Sequence, residues 1–132
     1  MQLAATRIIT DDVDALVEFY EKVTGARAER LHPLFAELRT ASGTLAIASS
    51  ATVPLLGENA AAARANRSVM LDFLVDDVDA LYASLRGVVD EFVNEPTTMP
   101  WGNRSLLFRD PDGNLINFFT PVGADARARF AG

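Results

Sequence analysis

Apolar positions recur at two spacings along the chain, and these spacings predict helices in some stretches and strands in others. Val13, Leu16, Val17 and Tyr20 recur every three to four residues, as on a helix that buries one face. Short apolar runs between turn residues predict strands. In the first half of the chain we expect strands at Leu3–Thr10, Arg27–Leu31, Leu34–Thr40 and Thr44–Ser50.

The second half repeats this order of elements. A strand over Arg67–Val75 precedes a helix that has Val78 and Leu81 on its apolar face and ends near Gly87. Three further strands are expected, with a loop at Glu95–Gly102 before the second of them. They are predicted at Val88–Asn94, Asn103–Arg109 and Asn114–Thr120.

The last two strands are joined by the tetrapeptide Asp110-Pro-Asp-Gly113, which predicts a tight hairpin. Pro111 presets the φ angle at the first corner of a type I turn, and Gly113 can adopt the left-handed conformation that follows. Both strands are rich in Leu, Ile and Phe. We therefore expect this hairpin to be largely buried.

A six-residue match indicates an internal duplication. The sequence DDVDAL begins at Asp11 and again at Asp76, at the same step from strand to helix in each half. Aspartates at such a step cap the helix that follows. The chain is therefore predicted to contain two βαβββ modules, at about residues 3–50 and 67–122, within one α+β domain spanning residues 1–132.

Two segments lie outside the predicted modules. Residues 51–66 contain Pro54, Gly57 and an alanine-rich stretch, which predict a linker with a short helix. This linker either lies over a cleft as a lid or simply connects the modules. Residues 123–132 are expected to form a frayed tail.

The composition excludes several classes of site. There is no cysteine, so disulfides, thiolate metal sites and cysteine nucleophiles are excluded. No apolar run approaches the roughly 20 residues of a membrane span, and the first residues lack a secretion signal, so a cytoplasmic protein is expected. The net charge of −6 disfavours binding to nucleic acid or acidic membranes and mildly favours a cationic ligand.

Three motifs, together with the two modules, carry a resemblance to a known superfamily. They are the pair Phe19-Tyr20 followed by Gly25, the segment Trp101-Gly-Asn-Arg104, and the turn Asp110-Pro-Asp-Gly-Asn114. From about Leu3 to Val122 the chain resembles the vicinal oxygen chelate superfamily, also called the glyoxalase/bleomycin resistance/dioxygenase group. The resemblance implies a cupped mixed sheet, with helices on its convex side and the functional site on its concave side.

Enzymes of this superfamily bind a divalent metal through four side chains on the first, fourth, fifth and last strands. The resemblance places these positions on Ala5, on Ile47 or Ala46, on Met70 and on Asn117. Alanine and isoleucine have no donor atom, a thioether is soft, and an amide oxygen is a weak ligand for a hard ion. We therefore expect no metal and no cofactor, which removes the lyase and dioxygenase chemistries that need a Lewis acid.

Metal-free members of the superfamily include drug-binding proteins that sequester a small aromatic or cationic molecule. They are usually homodimers with clefts at the interface, and the Trp101-Gly102 step before the last hairpin is similar to theirs. The resemblance thus implies a homodimer that binds a small molecule, as in antibiotic resistance, and leaves it unchanged.

Strand parity predicts which side chains line the concave face. Met70 and Asp72 share one side of their strand, and Asn117 and Phe119 share one side of the last strand. Arg7 holds the position in the first module that Asp72 holds in the second. These two residues either pair with each other or present charge to a ligand.

Two aromatic residues complete the set of candidate ligand contacts. Trp101 lies in a proline-containing loop, where its indole either stacks on a flat ligand or packs against the hairpin or a dimer partner. Phe35, on the third predicted strand, is the other candidate.

Two enzymatic alternatives remain open at this point. A metal-dependent lyase or dioxygenase would need ligands at positions other than those above. A metal-free enzyme would use Glu37 or Glu91 as an acid or base, although neither has a second group at a diagnostic spacing. His32, the only histidine, stands beside Pro33, where a solvated turn residue is more common than a catalytic base.

Overall fold

The chain folds into two units, Met1–Asn66 and Arg67–Gly132, in a computed structural model that describes residues 1–131. Each unit holds one four-stranded mixed sheet with a helix between its first two strands. The α+β class and the repeated βαβββ order are therefore confirmed.

Unit 1 is built around helix α1, whose ends follow from local chemistry. The Oδ1 of Asp12 accepts a hydrogen bond from the backbone N–H of Ala15 at 3.0 Å, which caps the first turn. Gly25 ends the helix at a φ of 73°, a left-handed conformation that glycine adopts without strain. The elements of the unit are β1 (Thr6–Thr10), α1 (Val13–Thr24), β2 (Glu29–His32), β3 (Phe35–Arg39) and β4 (Thr44–Ser49).

The sheet of unit 1 has the order β1-β4-β3-β2, with β1 parallel to β4. Its helix-covered side carries Ala36, Leu38 and Ile47, each with no exposed surface. We call the opposite side the open face of unit 1. Its residues alternate along each strand with the helix-covered positions. They are Arg7, Ile9, Phe35, Glu37, Ala46 and Ala48, and in the sheet Arg7 and Glu37 lie on either side of Ala46. Ala46 and Ala48 are themselves buried, at 4% and 2% exposure.

The segment after β4 contains a short helix, but not where alanine is richest. One 3-10 turn at Ser50–Thr52 leads into α2 (Val53–Leu56), which carries its proline in the first turn. The alanine-rich residues 59–65 form turns instead. Arg64 of this stretch is ion-paired with Asp11 at 2.9 Å, which ties the segment back to the start of α1.

Unit 2 repeats the plan and adds a C-terminal helix. The Oδ1 of Asp77 caps the helix after the first strand by accepting from Ala80 N–H at 3.1 Å, as Asp12 does in unit 1. The elements are β5 (Met70–Leu74), α3 (Val78–Leu85), β6 (Thr97–Thr98), β7 (Asn103–Arg109), β8 (Leu115–Pro121) and α4 (Ala124–Phe130). The strand order is β5-β8-β7-β6, with β5 parallel to β8.

Aromatic rings form much of the core under α3. Phe108 and Phe118 are fully buried and meet edge to face with ring centroids 5.0 Å apart. Phe73 and Phe92 extend this cluster, and Tyr82 of α3 contacts Phe92. We call the other side of this sheet the open face of unit 2; it carries Met70, Asp72, Leu74, Ser105, Leu107, Leu115, Asn117 and Phe119.

The strand predicted at Val88–Asn94 is wrong. That segment makes only isolated bridges, Arg86 with Val89 and Phe92 with Phe108, and the sixth strand is the two-residue β6 inside the predicted loop. The side chain of Asn94 explains the interruption. Its Oδ1 accepts from Leu107 N–H at 2.7 Å, so a side chain takes a place in the ladder that strand backbone would otherwise fill.

The tail predicted at residues 123–132 is also wrong over most of its length, because Ala124–Phe130 is helical. Ala126 is buried, and the ring of Phe130 packs edge to face on Phe119 at a centroid distance of 5.1 Å. Tertiary packing therefore holds this short helix. Gly132 lies outside the described residues. Among the others, no helix combines the length and apolar character needed to cross a bilayer.

Candidate functional site

The open face of unit 2 brings four of the predicted ligand contacts together. In the parallel pairing of β5 with β8, Asp72 lies opposite Asn117, and Leu74 lies opposite Phe119. Met70 lies one row away, opposite Leu115. Because alternate residues of a strand point to the same side, Met70, Asp72, Asn117 and Phe119 share one surface.

A carboxylate and an amide form the polar centre of this face. The Nδ2 of Asn117 donates a hydrogen bond to Oδ1 of Asp72 at 3.1 Å. Asp72 is exposed, and its other oxygen has no protein partner in residues 1–131. The Oδ1 of Asn117 is buried and likewise accepts no hydrogen bond from the described part of the chain. The pair thus offers two acceptor oxygens, Oδ2 of Asp72 and Oδ1 of Asn117.

Apolar side chains surround this polar centre. Met70 and Leu74 are 45% and 54% exposed, which is high for residues of their size in a strand. Phe119 is only 7% exposed, because Phe130 of α4 covers it. The surface is therefore a carboxylate set among exposed methyl and thioether groups, closed at one corner by α4.

Trp101 stands at the tip of the turn between β6 and β7 and is 67% exposed. Of the three alternatives for this residue, packing against the hairpin does not bury it, and stacking on a ligand and contact with a dimer partner stay predictions. The turn itself is anchored. Gly102 N–H donates to the Met99 carbonyl at 2.9 Å, and the Gly102 carbonyl accepts from the N–H groups of Val122 and Gly123 at 2.9 and 3.0 Å. A large aromatic surface is thus held outward on an ordered turn.

The remaining two candidates, Arg7 and Phe35, lie in unit 1. Both are on its open face, where Arg7 is exposed and opposite Ala46, and Phe35 is opposite Ala48. An ion pair of Arg7 with Asp72 would join the two units and stays a prediction. Within unit 2, the partner of Asp72 is Asn117.

The four positions that correspond to metal ligands do not fit a divalent ion. Ile47 points under α1, so the β4 position on the open face is Ala46, which has no donor atom. Among residues 1–131, no three His, Cys, Asp or Glu side chains come close enough to bind one ion together. His32 is the exposed last residue of β2, and its Nδ1 accepts a hydrogen bond from Leu34 N–H at 3.1 Å. Of the four positions, only Met70 and Asn117 carry donor atoms, a thioether sulfur and an amide oxygen.

The two candidate acid/base residues are each held by an arginine. Glu37 is 3.4 Å from Nε of Arg39, and Glu91 is 3.0 Å from Nε of Arg109. Glu91 lies in the irregular segment before β6 rather than in a strand. Glu29 lies opposite Glu37 in the pairing of β2 with β3 and is also 3.5 Å from Arg39. No nucleophile accompanies either candidate, so the structure adds no support for metal-free catalysis by Glu37 or Glu91.

Arg104 follows the Trp101 turn but does not serve the open face. Its Nε and one terminal nitrogen donate to the two carboxylate oxygens of Asp79 at 2.8 and 3.0 Å, a bidentate pair with α3. The hydrogen bond from Arg104 lowers the pKa of Asp79 below its ordinary value of 3.8, and the same bond raises the pKa of Arg104. This pair joins β7 to the helix.

Sequence reasoning missed α4, and with it Arg127 and Phe130. The signal was weak but present. Residues 124–130 contain three alanines and two arginines, which are good helix formers. Seven residues are too few to form a stable helix alone, and only the packing of Phe130 on Phe119 decides the outcome.

The family model of the Glyoxalase/Bleomycin resistance protein/Dioxygenase superfamily matches residues 2–118. With the two mixed sheets and the repeated module, this match shows that the chain belongs to that superfamily. The resemblance inferred from the sequence motifs is thereby confirmed at the level of the superfamily.

Individual relatives agree with this assignment. The chain is 29% identical over 125 residues to the uncharacterized protein YraH of Bacillus subtilis (strain 168), covering 90% of this chain and 98% of that protein. A glyoxalase/bleomycin resistance protein/dioxygenase family enzyme from Burkholderia phytofirmans PsJN has a similar structure, with a TM-score of 0.82 and 19% identity. The match covers 92% of this chain and 100% of that chain. A glyoxalase/bleomycin resistance protein/dioxygenase from Nocardioides is also similar, with a TM-score of 0.77 and 24% identity. The match covers 94% of this chain and 85% of that chain.

Proposed function

We propose that this protein binds a small aromatic or cationic molecule on the open face of unit 2, holds no metal there, and leaves the molecule unchanged. The observation that carries the proposal is the exposed carboxylate of Asp72 among exposed Met70 and Leu74. An exposed carboxylate beside apolar side chains offers a cation an ion-pair partner and offers its apolar part a contact surface.

Asn117 supports this role for Asp72. Its amide donates to Oδ1 of Asp72, which orients the carboxylate, and its own Oδ1 is left without a partner. A buried acceptor without a donor is costly, so a ligand N–H that reaches it would gain a hydrogen bond the protein lacks. Both acceptors favour a ligand that brings donors or positive charge.

Trp101 supports an aromatic ligand. An exposed indole on an anchored turn offers a flat surface for stacking at little cost in ordering. A homodimer with the ligand cleft at its interface is part of the proposal, because the same exposed apolar side chains would be covered there. Under this proposal the protein sequesters its ligand, as a resistance protein would.

Fluorescence titration tests the proposal directly, since Trp101 is the only tryptophan. We expect quenching by a flat or cationic member of a panel that includes bleomycin, mitomycin-like quinones and aromatic cations. Asp72→Asn should weaken the binding of a cationic ligand about tenfold, and Asp90→Asn, which removes the same charge from an exposed turn, should not. Absence of quenching and of any thermal shift across the panel would refute the proposal.

Metal analysis tests the proposal that the site holds no metal. Protein purified without chelator should contain zinc, nickel, iron and manganese far below one ion per chain. A stoichiometric ion would establish a metal site that the donor set described above does not supply, and would favour the enzymatic alternative.

A further inference from the structure

A pocket lies at the end of the strands of unit 2, where α4 passes over the ends of β5 and β8. Its volume is about 240 Å³. That is the space of about eight liquid water molecules and lies below the range of about 300–1,000 Å³ typical of sites for drug-sized ligands. The size suits a molecule as small as a single amino acid.

Two charged side chains of opposite sign line this pocket. Asp76 precedes the cap of α3, and Arg127 projects from α4. Neither forms an ion pair with the other, and neither side chain has a hydrogen-bond partner in residues 1–131. Asp76 and Arg127 therefore keep their charges available to a bound molecule that fits between them.

The rest of the lining is mostly apolar. Leu74, Pro121 and Phe130 contribute side chains, and Phe130 is fixed by its edge-to-face contact with Phe119. The hydroxyl of Thr120 also borders the pocket, but it already accepts from Val78 N–H and donates to the Val75 carbonyl. Recognition is thus left to one cation, one anion and an apolar wall.

The position of α4 is set by backbone contacts. The N–H of Gly123 donates to the Gly102 carbonyl at 3.0 Å, and a side-chain carbon at Gly102 would meet Ala126 at 3.2 Å. This close approach and the Phe130 contact hold the two ends of the helix. Arg127 is consequently presented from an ordered element, which lowers the entropy cost of using it in binding.

We propose that this pocket binds a small zwitterion, an α-amino acid with an apolar side chain. The carboxylate pairs with the guanidinium of Arg127, the ammonium group pairs with Asp76, and the side chain packs on Leu74 and Phe130. The inference goes beyond the proposed function, because neither Asp76 nor Arg127 belongs to the open-face site. A net charge of −6 does not oppose this ligand, since a zwitterion carries no net charge.

Nuclear magnetic resonance titration of the full chain with L-phenylalanine tests the assignment. We expect saturable shifts of the amide signals of Leu74, Asp76, Arg127 and Phe130. Two matched probes each lack one charge: 3-phenylpropionate has no ammonium group, and phenethylamine has no carboxylate. Each should bind at least tenfold more weakly than L-phenylalanine. Equal binding by either probe, or no shifts at the pocket, would overturn the proposal.

Variants test the two charges separately. Arg127→Gln and Asp76→Asn should each weaken the binding of L-phenylalanine at least tenfold. Arg67→Gln and Asp90→Asn make the same charge changes at exposed positions outside the pocket and should leave the affinity unchanged. Equal effects of a pocket variant and its control would contradict the site. Leu74 borders both surfaces, so the variants separate the two proposals. Asp72→Asn should weaken only the aromatic cation, and Arg127→Gln should weaken only L-phenylalanine.

Discussion

The carboxylate of Asp110 shows how much of a turn one residue can organise. It is 5% exposed, and its Oδ1 accepts from the N–H groups of Asp112 and Asn114, both at 2.9 Å. Its Oδ2 accepts from Nδ2 of Asn114 at 2.8 Å. The turn was predictable from Pro111 and Gly113, but the network that closes it was not, because it depends on burial.

Removing this carboxylate should destabilise the protein. Asp110→Ala leaves buried N–H groups of Asn114 without their acceptor, so we expect the free energy of unfolding to fall by about 2–3 kcal/mol. Urea denaturation measures the change. Asp90→Ala, at an exposed position, should change it by less than about 0.5 kcal/mol, and an equally small effect of Asp110→Ala would show the network to be unimportant.

The ion pair of Arg104 and Asp79 predicts the direction in which the stability of the fold changes with pH. Folding lowers the pKa of Asp79 below 3.8, chiefly through the hydrogen bond from Arg104. The stabilisation is therefore present above the unfolded pKa and is lost as the pH falls through the lowered value. In Arg104→Gln the pKa of Asp79 should rise, as a carboxyl carbon titration would record. Arg67→Gln should leave the pKa of Asp79 unchanged. An unchanged pKa of Asp79 in Arg104→Gln would contradict the conclusion that Arg104 lowers it.

Among the elements, the two long helices were the most predictable. Their apolar residues recur on one face, and Asp12 and Asp77 cap them as expected. The sixth strand and α4 were not predictable. Asn94 replaces strand backbone with a side chain, and α4 is stable only against Phe119. Both outcomes depend on residues distant in sequence.

The junction between the Trp101 turn and α4 can be tested at Gly102. This residue has a φ of +93°, and a methyl group there would meet Ala126 at 3.2 Å. Gly102→Ala should therefore lower the free energy of unfolding by about 1–3 kcal/mol and speed hydrogen exchange in α4.

Gly43→Ala is the matched control, because a methyl group there meets nothing within 4 Å and the backbone is not left-handed. Its effect should stay within about 0.5 kcal/mol. If Gly102→Ala behaves like Gly43→Ala, the close approach of the turn to α4 is not a constraint.

For the whole molecule, the duplication is the dominant fact. Each unit closes its own helix-covered core, and each leaves one sheet face without a covering long helix. Large apolar side chains stay exposed in both units, among them Leu31, Leu55, Val69, Leu74 and Trp101. Contact between two copies of the chain would remove such side chains from water.

We therefore expect a homodimer in solution. Sedimentation equilibrium at micromolar concentration should give twice the chain mass of 14.3 kDa. Dimer formation should also slow the hydrogen exchange of β5 amides, compared with the same amides in a monomer. A single monomeric species with no concentration dependence would contradict this prediction.

The sequence alone determined the α+β class, the repeated module, both capped helices and the superfamily, because each rests on local periodicity or a short motif. Tertiary structure decided the rest. It turned Ile47 under α1 and left Ala46 on the open face, paired Asp72 with Asn117, and ordered α4 over Phe119. These outcomes depend on contacts between residues far apart in the chain, and their energies appear only when the sheets have formed.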